Sequence, residues 1–368
     1  MDNPEGQGGD PPPAKKQKTD PTPLGSLFMP ASANPIPSAS TVIFDPAGDL
    51  HLQVGFMHSF QVDSHSLCRH SSVFKAMLTG PWLESRPAEG KWIVKLPEDS
   101  PRGLEVLLNI VHGRFDLVPK TLANDHLFDV CVEADKRDMI KTLGPWTANW
   151  ILNVRNNQDY CFLKTVFIAW VLGMKKLFTE LVTYLLWNCY IQKNGSIRVH
   201  LNLVGCDSQL VILQHSIPGF SYAKSTGFLD QIPELRKVCM ESLLHFAHRY
   251  WLKFATASPV QDFPREHVII FGWFVSGVRK LDLYALPASM VLAKEHTIKE
   301  LHAGLQIIPD QIETPHRGTA RLHQSCVDAA ASLRQELAVL IASFPGVLTE
   351  PQLKHLEERA KLLGISDS

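Results

Sequence analysis

The chain lacks the usual short signatures of nucleotide binding and covalent catalysis. It has no G-x-S-x-G, no phosphate loop, no G-x-G-x-x-G and no H-E-x-x-H, so the backbone cradles, activated serine and paired metal histidines of those chemistries are not encoded in their usual form. It lacks an excess of charge of either sign, with a formal net charge of -1 over 368 residues. That balance excludes a broadly basic surface for nucleic acid. Its seven cysteines, Cys68, Cys131, Cys161, Cys189, Cys206, Cys239 and Cys326, include no C-x-x-C pair. They stand singly in apolar surroundings and read as buried thiols in a reducing compartment. Long apolar runs are missing as well. Tyr160 to Tyr190 is strongly apolar but is interrupted by Lys175, Lys176 and Glu180, whereas a membrane span needs about 20 nearly uncharged residues. The polar, Pro-rich start carries no secretory apolar segment, and the chain is expected to stay inside the cell.

The residues that invite a chemical reading mostly have plainer accounts. Sixteen histidines are present, but neither His65 with His70 nor His245 with His248 has a Cys, Asp or Glu partner at ligand spacing, so no metal is expected. Glu133 and Asp135 point apart on a helix and are followed by Lys136 and Arg137, which reads as a solvated helix end and not as an acid/base pair. Cys68 precedes Arg69 but falls on a core-facing helix side, where a thiol is inert. No catalytic residue and no cofactor follow from these patterns. There is also no zinc finger, basic zipper or clear recognition helix, so direct DNA binding is not expected.

The segment F-Q-V-D-S-H-S-L-C-R-H-S-S-V-F-K-A-M-L, Phe60 to Leu78, changes from strand to helix periodicity within about ten residues. Phe60 and Val62 alternate as in a half-buried strand, and Leu67, Ser71, Phe74, Met77 and Leu78 gather on one helical face. This order resembles the core of a BTB/POZ domain, departing from the family pattern at Asp63, where a His is usual, and at Ser64, often basic. The resemblance covers residues 41–152 and is closest to the filamentous-fungal form. Asp49 to Val54 is similar to the family's first strand with its acidic opening, and Trp92 to Leu96 to its third. Arg102 to His112 reads as an amphipathic helix leading into His112-Gly113-Arg114-Phe115, with Gly113 suited to the helix exit. A helix over Leu122 to Asp135 follows, ending in A-D-K-R-D, where Arg137 replaces the usual Tyr. Two tryptophans in Leu143 to Ile151 close the module.

Residues 1–40 read as a disordered arm. Within it P-P-P-A-K-K-Q-K places Lys15, Lys16 and Lys18 after three prolines, an extended basic cluster similar to a short nuclear import signal. Residues 153–302 read as a helical domain, with two core helices hinged near Gly173 and a hairpin or loop around Gly205. Amphipathic patterns follow over Leu235 to Phe254, His267 to Leu281, Ser289 to Leu305, Thr319 to Phe344 and Glu350 to Leu363. Residues 303–318 read as a linker and 319–368 as a terminal helical hairpin. The fold class expected is α+β, a BTB/POZ module of a small sheet flanked by helices, followed by a mostly α-helical C-terminal region.

What the resemblance implies is binding and not catalysis. The first expectation is a nuclear protein that acts in transcription regulation through partner proteins, chromatin or transcription factors among them, with self-association open. The alternative is a substrate adaptor of a cullin-type ubiquitin ligase, located in the cytoplasm if the lysines are not read. No small-molecule substrate and no membrane enter either reading. In animal BTB repressors the acid at Asp49 pairs with a base at the position of Ser64; with serine there, Asp49 is expected to be solvated or paired elsewhere, and corepressor binding by that route is not expected. The extra helix of swapped dimers is not expected either, since Leu27 to Ser38 is rich in helix breakers.

Overall fold

The computed structural model describes residues 41–156, 161–201, 209–255, 296–313 and 324–365, with single positions at 272, 275, 276 and 279. Lys15, Lys16, Lys18, Cys206 and nearly all of the helix expected over 267–281 lie outside the described residues.

The first sheet has the order β1-β3-β2-β4. Strands β2 (Leu50–Val54) and β3 (His58–Val62) form an antiparallel hairpin in which Leu50 faces Val62 and Val54 faces His58. Gly55 turns the chain between them at φ 57°, a conformation that favours glycine. β4 (Trp92–Leu96) lies parallel to β2, and a short β1 (Thr41–Ile43), which periodicity does not announce, lies parallel to β3. Alternation sends Leu50, Leu52, Val54, Phe60, Val62, Trp92, Val94 and Leu96 into the core.

The helical part of the Phe60 to Leu78 segment is two helices where one face was expected. α1 (Ser64–His70) stops at Ser71, whose extended backbone (φ -137°, ψ 117°) starts α2 (Ser72–Thr79). A serine hydroxyl competes for backbone donors, and here Ser71 Oγ accepts from Phe74 N at 2.9 Å. Leu67, Phe74 and Leu78 are still fully buried, from two helices, while Met77 is only half-buried.

α3 (Pro101–Val111) begins with the cap Ser100 and Pro101 in its first turn, and Gly113 leaves it at φ 70°. It packs antiparallel on α4 (Asn124–Lys136) so closely at Gly103 that a Cβ there would sit 2.5 Å from the Asp129 carbonyl oxygen. α5 (Gly144–Asn156) closes this layer with Trp150, which is fully buried and donates its indole N–H to Pro119 O at 2.9 Å.

The second half is mainly helical. α6 (Phe162–Val171) and α7 (Lys175–Asn188) meet at Gly173, φ 69°. Strands β5 (Cys189–Ile191), β6 (Ile197–Leu201) and β7 (Gln209–Ile212) form an antiparallel three-stranded sheet, which resolves the hairpin-or-loop alternative. α8 (Phe220–Ser225), α9 (Phe228–Ala255), α10 (Ile298–Ile312), α11 (Gln324–Ala342) and α12 (Glu350–Leu363) complete the described chain.

Two expected boundaries are corrected. Within the expected 303–318 linker, residues 303–312 are helix: Thr297 caps α10 in a capping box with Glu300, and Ile298, Leu301, Leu305, Ile308 and Ile312 form a buried stripe. The terminal hairpin is not a unit either. α11 packs on α10 and α9, whereas α12 crosses to α5, α6, α7 and the turn before α5. Among the described residues the fold is therefore mixed α and β, mostly helical with two small sheets. Among the described residues no helix is long and apolar enough to cross a membrane.

Candidate protein-docking face

The free side of α2 and the loop after it form an exposed apolar relief on the first module. Phe74 and Leu78 turn α2 toward the core, which leaves Val73, Ala76 and Met77 on the flank. Gly80 ends the helix and lets the chain fold back: a Cβ there would stand 2.6 Å from both Ala76 O and Trp82 Nε1. Ser85 locks the loop, donating its hydroxyl to Gly80 O and its N–H to Trp82 O at 3.1 Å. The Trp92 indole N–H reaches Glu84 O at 2.8 Å and ties the loop to β4. Trp82 is thus positioned by its neighbours yet 62% exposed, and Leu83 beside it is fully exposed. Ser72, Val73, Ala76, Met77, Trp82 and Glu84 line a shallow open groove of about 510 Å³.

At the end of this loop lies the acid singled out from the sequence. Asp49 accepts hydrogen bonds from Ser64 N at 3.0 Å and Ser64 Oγ at 2.9 Å, and Arg86 stands 3.6 Å away. The expectation that Asp49 is paired elsewhere is met by a base from the loop, not from α1. Arg86 also lies over the Trp92 ring at 5.8 Å, and Asp49, His51, Arg86, Lys91 and Trp92 border a small polar cleft.

The remaining signature residues form the frame behind the groove. Asp63, where the resemblance leads one to expect His, caps α1 by accepting from Ser66 N and Oγ, both at 2.7 Å. Burial opposes its ionisation, but the Ser66 bonds prevail and its pKa is lowered. Its own N–H donates to His112 Nε2 at 3.0 Å, while the other ring nitrogen of His112, Nδ1, lies 2.8 Å from Leu108 O. Those two contacts define a neutral imidazole with the proton on Nδ1, and burial lowers its pKa accordingly. His112 and Gly113 therefore tie the exit of α3 to the start of α1.

The end of α4 is not the solvated end that its charges suggest. Glu133, Arg137 and Asp99 are buried, at 1%, 6% and 5% exposure. Asp99 takes Lys136 Nζ at 2.5 Å and also Arg137, whose guanidinium covers the Phe74 ring at 4.9 Å. Ser71 Oγ donates to Arg137 O at 2.5 Å and Glu133 accepts from Ser100 N at 2.7 Å. Burial first, then the Asp99 charge, push the Glu133 carboxyl up to about 7. Charge runs solvate a helix end only when no buried counter-ion faces them, and Asp99, 37 residues from Lys136 in sequence, supplies one. The pattern gives no hint of that pairing.

Nothing in this arrangement assembles a nucleophile with a base. Cys68 is half-buried and burial raises its thiol pKa. Among the described residues no group of three His, Cys, Asp or Glu side chains could hold a metal ion.

No family model, curated protein or solved structure matches this chain. The functional reading therefore rests on residues and geometry.

Trp82, Glu84 and Arg86 carry no periodic signal in the sequence. The available signal was Gly80-Pro81-Trp82, a helix stop followed by a large aromatic in a polar loop, a position where an aromatic has no core to enter.

Proposed function

We propose that the chain is a non-enzymatic protein-interaction protein, built on a BTB/POZ-like first module and acting in the nucleus in transcription regulation through partner proteins. The observation that carries the binding part is Trp82, a large aromatic held exposed over an apolar groove by Gly80, Ser85 and Trp92. Anchored aromatics in partly apolar depressions are the side chains that dominate association energies. Supporting the BTB/POZ-like part is the element order: a strand hairpin, two short helices, a strand parallel to the first of the hairpin, then an antiparallel helix pair. The nuclear part rests on Lys15, Lys16 and Lys18 alone.

Trp82→Ala is expected to leave the melting temperature within a degree or two of wild type, since most of the side chain is already in water. It should reduce recovery of the main partners at least about tenfold, the loss typical of an interface anchor. Affinity purification from nuclei with mass spectrometry reads this directly. Recovery of transcription or chromatin factors that depends on Trp82 favours the regulator; recovery of a cullin favours the ubiquitin-ligase adaptor; equal recovery by both proteins would remove the groove as the docking site.

Replacing Lys15, Lys16 and Lys18 together by Ala is expected to shift a tagged protein from nucleus to cytoplasm, because an import receptor reads their charge on an extended chain. Imaging tests it. An unchanged nuclear signal, or a wild type that is cytoplasmic from the start, would remove the import reading.

A further inference from the structure

α12 is held in an unusual way. It buries only Gln352, Leu356 and Leu363, whereas α10 buries a stripe of five aliphatic residues. Its other attachments are polar and come from both halves of residues 41–365. Arg359 pairs with Asp135 at the end of α4 at 2.8 Å, Lys175 at the start of α7 pairs with Glu357 at 2.9 Å, and Gln352 Nε2 donates to Thr226 O at 3.1 Å. The His355 ring stacks on Trp170, centroids 3.9 Å apart and planes 9° from parallel.

The surface beneath is shaped for a helix backbone. At Gly173 a Cβ would come within 2.3 Å of Ala360 N and 2.6 Å of Leu356 O, so only glycine admits α12 this closely. α12 also carries its own end signals. Gln352 Oε1 accepts from Thr349 N at 2.9 Å, Pro351 stands in the first turn, and Gly364 leaves the helix at φ 67° with its N–H on Lys361 O. None of those end contacts depends on the seat.

We propose that α12 is a releasable strap: a self-terminated helix, held on a glycine-floored seat by two buried leucines, two ion pairs, one side-chain hydrogen bond and one ring stack, that opens as a unit while the rest of the fold stays intact. Exposed ion pairs each contribute little and are screened by salt, and two buried leucines are a small apolar anchor for fourteen helical residues. Opening uncovers Trp170 and the Gly173 turn, and it removes the Asp135 and Lys175 contacts that α12 makes to the two halves at once.

Hydrogen exchange of the full chain, read by mass spectrometry, tests the strap. In about 0.1 M salt, α12 amides are expected to exchange at least about tenfold faster than those of α6 and α7, and faster again in about 1 M salt, where screening shortens to roughly 3 Å. Glu357→Lys should speed α12 exchange roughly two- to fivefold, the size of one exposed pair. Lys175→Glu combined with Glu357→Lys should bring it back, with the melting temperature unchanged throughout. Glu357 is largely exposed, so neither variant threatens folding. Exchange of α12 at the rate of α6 and α7, or a Glu357→Lys effect that the reversed pair does not undo, would overturn the proposal.

Discussion

Phe74→Ala is expected to destabilise the chain by about 3 to 5 kcal/mol, the range for truncating a fully buried aromatic and leaving a cavity. Phe74 is 0% exposed, and its ring is the face on which the Arg137 guanidinium lies. The substitution therefore removes apolar burial and strips a buried cation of its aromatic cover in one step. The start of α2 is not the cause, because Ser71 Oγ still accepts from the residue-74 N–H. Calorimetry of the full chain should show melting lowered by on the order of 5 to 15 °C. A variant melting within a degree or two of wild type would mean that the ring does not sit in the core.

Asp99→Ala should cost a similar amount, about 3 to 5 kcal/mol, for a different reason. Here the loss is not volume but an uncompensated charge: Arg137 keeps only 8% of its side chain exposed, while Lys136, at 39%, can turn to water. The second substitution Arg137→Met isolates the cause. It removes the stranded cation and leaves the Ser71 bond to the backbone oxygen of residue 137 in place. Asp99→Ala with Arg137→Met should recover at least about 1 kcal/mol over Asp99→Ala alone, as buried ion sets replaced by apolar groups do. A double variant less stable than the single one would show that Asp99 acts through something other than this pair.

These two residues mark the limits of what could be read in advance. Phe74, Leu67, Phe60 and Val62 were legible because burial imposes a period of two on a strand and three to four on a helix, and both periods are written into neighbouring residues. The same rule placed β4 at Trp92–Leu96 and α12 at Glu350–Leu363. The break at Ser71 was hidden because a serine can ride a helix face or cap a new helix, and only its contacts decide. Asp99 was hidden more deeply. Its partners lie more than 35 positions along the chain, and pairing across a helix hairpin leaves no period. The interval after residue 303 read as linker because Pro309 and Pro315 punctuate it, yet Pro309 is buried inside α10. In the candidate site Asp49 was legible and Arg86 was not, since a loop residue has no repeat to betray it and its direction is set by Ser85 and Trp92.

The Arg359 to Asp135 pair joins positions 224 residues apart. At synthesis rates of roughly 5 to 20 residues per second, α12 leaves the ribosome on the order of 10 to 45 s after α4. From the emergence of α7 until that of α12, the growing chain presents Gly173 and Trp170 without the helix that covers them. α12 thus sets a timing: until it emerges, chaperones and neighbouring chains meet a surface that the folded chain covers with this helix.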